Sequence, residues 1–156
     1  MISKKIRYVL FLLTILSLCG FSWPFSWLFS HPNNEPFGTS AWLENQIRIL
    51  ESQSSGLDTN VLRLSLMAYM KARKQGFDDK QLLTIIDYSK PSTEKRLWIF
   101  DLKTGKNLFY TWVSHGKNSG DVNATSFSNS LGSLKSSLGV FVTDEPYMGG
   151  DGYSLR

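Results

Sequence analysis

Sulfur nucleophiles are almost missing from this chain. Its 156 residues hold one cysteine, Cys19, inside an apolar stretch near the start. A lone cysteine excludes an intramolecular disulfide, a CxxC redox pair and a Cys/His metal site. Histidine is scarce as well: His31 and His115 are the two. A zinc site would have to lean on carboxylates, and no spacing suggests one. No metal and no cofactor is expected. Acidic residues are absent before Glu35, whereas Lys4, Lys5 and Arg7 lead into the apolar run. Without those three, the 17 basic residues become 14 against 13 acidic ones, and the formal charge drops from +4 to +1. A body so near neutrality lacks the basic footprint of a nucleic-acid binder, so no nucleic-acid partner is expected. What is plentiful is apolar and aromatic content, 42% and 13%, which argues for a folded domain.

Several catalytic signatures are also missing. Serines are numerous, yet none sits in a G-x-S-x-G elbow. Ser130 stands five positions before Lys135, the wrong spacing for S-x-x-K. The glycines of "HGKNSG" and "MGGDGYS" do not open a helix after a strand, so they form no nucleotide-binding fingerprint. Asp87, Asp101, Asp121, Asp144, Glu145 and Asp151 show no pair held at a glycosidase separation. His115, in "VSHGKNSGD", is open to a general-base, a structural or a surface reading, and the structural one is favoured. A serine hydrolase built on His115 is the weakest of the functional readings.

The N-terminus reads as an address. "MISKKIRYVLFLLTILSLCGF" has a basic n-region, an apolar h-region from about Tyr8 to Leu18, and small residues after it. Residues 1–29 are therefore expected to be a signal peptide or an N-terminal membrane anchor. Tyr8 to Phe29 spans 22 residues, enough to cross a bilayer, with Trp23 and Trp27 near one interface. A lipoprotein signal at Cys19 fits poorly, because Leu18 fills a position that wants a small side chain. The expected location is outside the cytoplasm: the periplasm or the outer face of the cytoplasmic membrane, with anchorage through residues 8–29 as one form.

Residues 30–40, rich in Pro, Asn, Ser and Gly, read as a linker. A helical region is expected over 41–76. In its first helix, Trp42, Leu43, Ile47 and Leu50 recur at helical spacing behind Ser40 as N-cap. Its second helix starts at Asp58 or Thr59 and carries a stripe of Val61, Leu62, Met67, Ala68 and Ala72. Lys71, Arg73 and Lys74 suit its C-terminal dipole, and Gly76 stops it. The pattern then turns to strands: "LLTIIDYS", "RLWIFDL", a "KTGK" hairpin connection, and "NLFYTWVSHG". After a polar stretch over 117–137, "LGVFVTDEPY" reads as another strand, and "MGGDGYSLR" as a turn into one more. The fold class expected is α+β: a helix pair, then an antiparallel β-rich portion. A sheet ending on the first residues of a strand suggests a domain incomplete at its C-terminus, the alternative being an edge strand that completes a small one.

Three blocks carry a resemblance: "IIDYSKPSTEKRLWIFDLKTGKNLFYTWVSHGKNSG", "ATSFSNSLGSLKSSLGVFVT" and "GGDGYSLR". In content and order they resemble the murein L,D-transpeptidase catalytic-domain family, the YkuD-like group. The likeness runs from about Leu82 to Arg156, the span read as a partial catalytic domain, and the helix pair is similar to that family's N-terminal portion. The resemblance implies a bacterial secreted or periplasmic domain acting on peptidoglycan stem peptides. There, a cysteine thiolate attacks an amide bond and the acyl group passes to an amine or to water. The family's nucleophile lies in a Ser-x-Gly-Cys-like motif preceded by a second His-Gly, and neither has a counterpart in these residues. No catalytic residue is therefore carried over. His115, Lys117, Asn118, Ser119, Tyr147 and Tyr153 are the candidates for a substrate-cleft wall. The expected function is a role in murein cross-link metabolism with this chain inactive. The alternative is a non-catalytic envelope module that binds peptidoglycan or a partner protein.

Overall fold

The computed structural model describes residues 35–150 and 152–155. The leader, its possible span over residues 8–29 and the first part of the linker lie outside the described residues. Among the described residues, no helix is long and apolar enough to cross a membrane.

Two helices come first. Helix α1 covers Ser40–Glu51 and helix α2 covers Thr59–Lys74. The cap of α1 is Thr39, one residue before the expected Ser40: its hydroxyl accepts from the Trp42 amide at 3.1 Å. Thr39 alone of the two has the extended backbone that an N-cap requires, since Ser40 is already helical. Asp58 caps α2, accepting from the amides of Asn60 and Val61. Past the C-terminal end of α2, Gly76 adopts φ +82°, a conformation in which any side chain is strained.

Trp42, Ile47 and Leu50 face inward from α1. From α2 it is Leu62, Leu66 and Tyr69. The expected stripe on α2 needs correction. Leu62 is in the core, but Met67 is 51% exposed, and Val61, Ala68 and Ala72 are only half-buried. Leu66 and Tyr69 continue from Leu62 at steps of four and three, which is the spacing of one helix face.

Strands β1 (Leu82–Ile86), β2 (Leu97–Asp101) and β3 (Lys106–Thr111) form one antiparallel sheet in that order. Opposed residues share a face. Ile85, Trp98 and Tyr110 stand in line across the sheet. Trp98 and Tyr110 stack at 5.1 Å. Ile85, Trp98 and Phe100 join Leu102 and the helix residues in one core, with Leu83 and Tyr110 packed against it. In β3 the pairing jumps from Phe100↔Asn107 to Ile99↔Phe109, leaving Leu108 as the extra residue of a bulge.

The "KTGK" connection is a hairpin, as its sequence suggests. Asp101 organises it by accepting from the amides of Lys103 and Thr104 and from the Thr104 hydroxyl at 2.7 Å. That hydroxyl bond is the main reason the Asp101 carboxyl sits below its ordinary pKa. Gly105 has φ +68°, and a Cβ there would lie 2.7 Å from Ile49 Cγ2 of α1. Gln53 ties hairpin to helix, donating to the Gly105 carbonyl and accepting from the Asn107 amide.

Two strand expectations change. The strand returning from the hairpin ends at Thr111 rather than running on to Gly116. "LGVFVTDEPY" is not a strand over its first eight residues, because β4 begins only at Pro146. Val140, Phe141 and Val142 are 56–66% exposed with no strand beside them. A β-branched, apolar run without a neighbour to pair with does not make a sheet. Strand β4 (Pro146–Gly149) pairs with β5 (Gly152–Leu155) as a separate two-stranded ribbon. The antiparallel α+β class stands.

Candidate functional site

The loop after β3 is organised by one buried cation. Arg96, just before β2, is wholly removed from solvent. Its guanidinium donates to the Lys90 carbonyl at 2.8 Å. It also donates to the Val113 carbonyl through both Nε and Nη2, at 3.1 and 2.9 Å. Its carbon lies 5.0 Å from the centroid of the Tyr88 ring. Among the described residues no carboxylate pairs with it. Backbone carbonyls and an aromatic face serve in place of a counter-ion, which is how a desolvated guanidinium stays satisfied.

Nη2 of Arg96 also lies 2.9 Å from His115 Nδ1. Arginine has no acceptor, so Nδ1 must accept and the ring proton sits on Nε2. From there it points to the Gly120 carbonyl at 3.3 Å. Both ring nitrogens are thus engaged in holding the loop. A base needs a nitrogen with a free lone pair within reach of a hydroxyl, and His115 has none in this arrangement.

Residues 116–120 are laced to 133–136. The Gly116 amide donates to Ser136 Oγ at 2.9 Å, and the Asn118 amide to the Leu134 carbonyl at 2.9 Å. Asn118 Nδ2 donates to the Ser133 carbonyl at 3.0 Å. Ser119 is fully buried, and its hydroxyl accepts from the Ser136 amide at 2.8 Å. Its carbonyl accepts from the amides of Thr125 and Ser126. Gly116 is required sterically: a Cβ would meet the Leu134 carbonyl oxygen at 2.6 Å.

The structure therefore brings His115, Asn118 and Ser119 into one laced loop, with Ser119 buried and Asn118 exposed. Lys117, between them, is exposed. Tyr147 and Tyr153 are on the β4–β5 ribbon but not together. Tyr147 stands opposite Ser154, and Tyr153 opposite Met148, so the two rings occupy opposite faces. Among the carboxylates, Asp87 and Asp101 are committed to turns, Asp87 accepting from the amide and hydroxyl of Ser89. Asp151 is outside the described residues. Among the described residues no three His, Cys, Asp or Glu side chains gather as a metal site.

Arg96 and Tyr88 are the members of this arrangement that local sequence does not point to. The one signal is a charge inside the apolar run "RLWIF", where a strand start is expected to turn inward. A second contact also escapes sequence spacing: Lys135 Nζ donates to Ser126 Oγ at 2.7 Å. Elsewhere, a depression of about 390 Å³ is lined by Leu43, Met67, Met70, Lys71, Lys74 and Gln75 of the helix pair. None of the cleft candidates borders it.

An antiparallel sheet backed by two helices and followed by a serine-rich laced loop agrees with the resemblance read from the sequence. The family model of the L,D-transpeptidase catalytic domain (YkuD_2) matches residues 53–156, two-thirds of the chain. The chain belongs to this family. The match starts at Gln53 and so takes in helix α2 as well as the strands. Neither a curated protein nor a solved structure matches the chain.

Proposed function

We propose that this chain is an exported L,D-transpeptidase-family protein that engages peptidoglycan stem peptides, and that these 156 residues bind without transferring acyl groups. The observation that carries the reading is the family match over residues 53–156 in a span that holds no cysteine. Acyl transfer on an amide needs a nucleophile beside a base. The one histidine of the matched span has both ring nitrogens committed to Arg96 and the Gly120 carbonyl. Binding does not need that chemistry. The murein role, the stem-peptide partner and the location outside the cytoplasm come from the family and from the leader's composition.

Two experiments test it. The full chain with Cys19→Ser, incubated with purified muropeptides, should leave the cross-link profile unchanged by mass spectrometry while sedimenting with sacculi. Rearranged cross-links would refute the inactive reading, and failure to sediment would refute the peptidoglycan partner. For location, an alkaline-phosphatase reporter fused after Ser40 should be active, since that enzyme works only after export. An inactive, stably produced fusion would rule the export reading out.

A further inference from the structure

The outer side of helix α2 has a composition that solvent alone does not explain. Leu64, Met67, Lys71 and Lys74 follow one another at steps of three and four, so they form one stripe. Leu64 is 65% exposed and Met67 51%, on a side where a helix facing water carries polar residues. Beside them the depression of about 390 Å³ opens between Leu43 of α1 and Met67 and Met70 of α2, with Lys71, Lys74 and Gln75 on its wall. Helix α2 contains no acidic residue. Of its four cations, Arg63 pairs with Glu44 and Arg73 with Asp78, whereas Lys71 and Lys74 have no carboxylate partner among the described residues. Apolar side chains flanked by unpaired ammoniums suit the boundary between lipid headgroups and acyl chains.

The chain enters the helix pair at this same place. Phe37 packs edge-on against Trp42 at 5.0 Å and against Tyr69 at 6.2 Å, with the Arg73 guanidinium carbon 4.9 Å from its ring centroid. A Cβ on Gly38 would lie 2.9 Å from Lys74 Cε. The end of the linker is thus pinned beside Lys74, at the rim of the depression. Five residues, 30–34, separate Glu35 from the apolar stretch over 8–29. Fully extended, they reach about 20 Å. With that stretch in a bilayer, the tether keeps the stripe within reach of the headgroups at high effective concentration. We infer that the Leu64–Lys74 stripe docks on the surface of an anionic membrane. Leu64 and Met67 enter the headgroup layer, and Lys71 and Lys74 meet lipid phosphates. The two unpaired ammoniums on an acid-free helix select a negative surface over a zwitterionic one. The inference rests on the export reading above, in its anchored form, and adds which face of the body meets the bilayer.

The test uses the full chain with Cys19→Ser, reconstituted into vesicles of phosphatidylglycerol and phosphatidylcholine. A fluorophore is attached through Met67→Cys, and in a control through Lys117→Cys in the laced loop. Lipids carrying a quencher near the headgroup should quench the Met67 label and leave the Lys117 label bright. Lys71→Gln and Lys74→Gln should each lower the docked-to-free ratio about fivefold, and vesicles of phosphatidylcholine alone should match the double variant. Both lysines are exposed, so neither change touches the core. An alkaline carbonate wash reads the anchor separately. A chain retained through the wash, with its Met67 label quenched no more than the Lys117 label, would overturn the docking and leave the anchored form standing. A chain stripped by the wash would overturn the anchored form and the docking with it. A Met67 label shielded equally in both lipid mixtures, and more so at higher protein concentration, would assign the face to a second copy of the chain and overturn the proposal.

Discussion

The helix–sheet body over residues 40–111 and the segment beyond it are built on different physics. Every buried hydrophobic residue of the core falls between Trp42 and Leu102. Among the described residues beyond Thr111, the buried side chain is a serine, Ser119, while Leu131, Leu134, Leu138, Val140, Phe141, Met148 and Leu155 are all more than half exposed. The first region excludes water through contacts between distant parts of the chain. The second is held by hydroxyls, amides and one guanidinium, through hydrogen bonds that join residues 15 to 20 positions apart. Apolar burial gives a cooperative unit, whereas hydrogen bonds with little apolar burial beneath them give a region that opens at lower free-energy cost. The loop after β3 is thus a more easily opened layer on a stable base.

The largest expected effect breaks this contrast at its centre. Trp98→Ala should cost about 3–5 kcal/mol and shift the main thermal transition. Phe141→Ala, at 66% exposure, should move it by less than about 0.5 kcal/mol. Comparable losses at the two sites would mean that the outer segment shares the core. Next comes Arg96→Ala, which strands the Lys90 and Val113 carbonyls and should cost about 2–3 kcal/mol. Hydrogen exchange should report faster opening at Asn118 and Ser119 with the β1–β2 amides still protected. Ser119→Ala removes the acceptor of the Ser136 amide and should cost about 1–2 kcal/mol, read locally at Ser136. Uniform loss of protection through the sheet would show that the loop is not a separate unit.

The smallest effect is a pH dependence. Burial is the main cause that pushes the Tyr69 hydroxyl from 10.0 to about 12, with Arg73 and Asp78 as its hydrogen-bond partners. The folded chain keeps this proton where the unfolded chain has lost it. Tyr69 therefore contributes stability below pH 10 that is lost as pH rises toward about 12. Tyr69→Phe should flatten part of that alkaline fall in urea-unfolding series. Parallel slopes for parent and variant would remove Tyr69 as its source.

Features set by neighbours in sequence were readable in advance. A cap at Asp58 or Thr59, which the structure places at Asp58, Gly76 as a stop and "KTGK" as a hairpin each depend on a few adjacent residues. The phase of α2 was not. "VLRLSLMAYM" carries apolar residues all round the helix, and only the packing against α1 and the sheet sets Leu66 and Tyr69 inside while Met67 stays out. The strand expected at Leu138 failed for a related reason, since an apolar β-branched run reports a capacity to pair and not the presence of a partner. At the candidate site, the "SHGKNSG" block was visible as a family feature, but Arg96 lies 19 positions from His115 and no periodicity joins them. For Tyr147 and Tyr153, nearness in sequence says nothing about sidedness until the register is known.

The bulge in β3 gives that strand a surplus position. Leu108 has no opposite number, and the pairs on either side, Asn107 with Phe100 and Phe109 with Ile99, are set independently of it. A chain one residue shorter at this place would keep every partner, including Tyr110 on Trp98. One residue removed from β2 would instead turn half its side chains inside out. Changes in length along this hairpin are therefore cheapest at a single point.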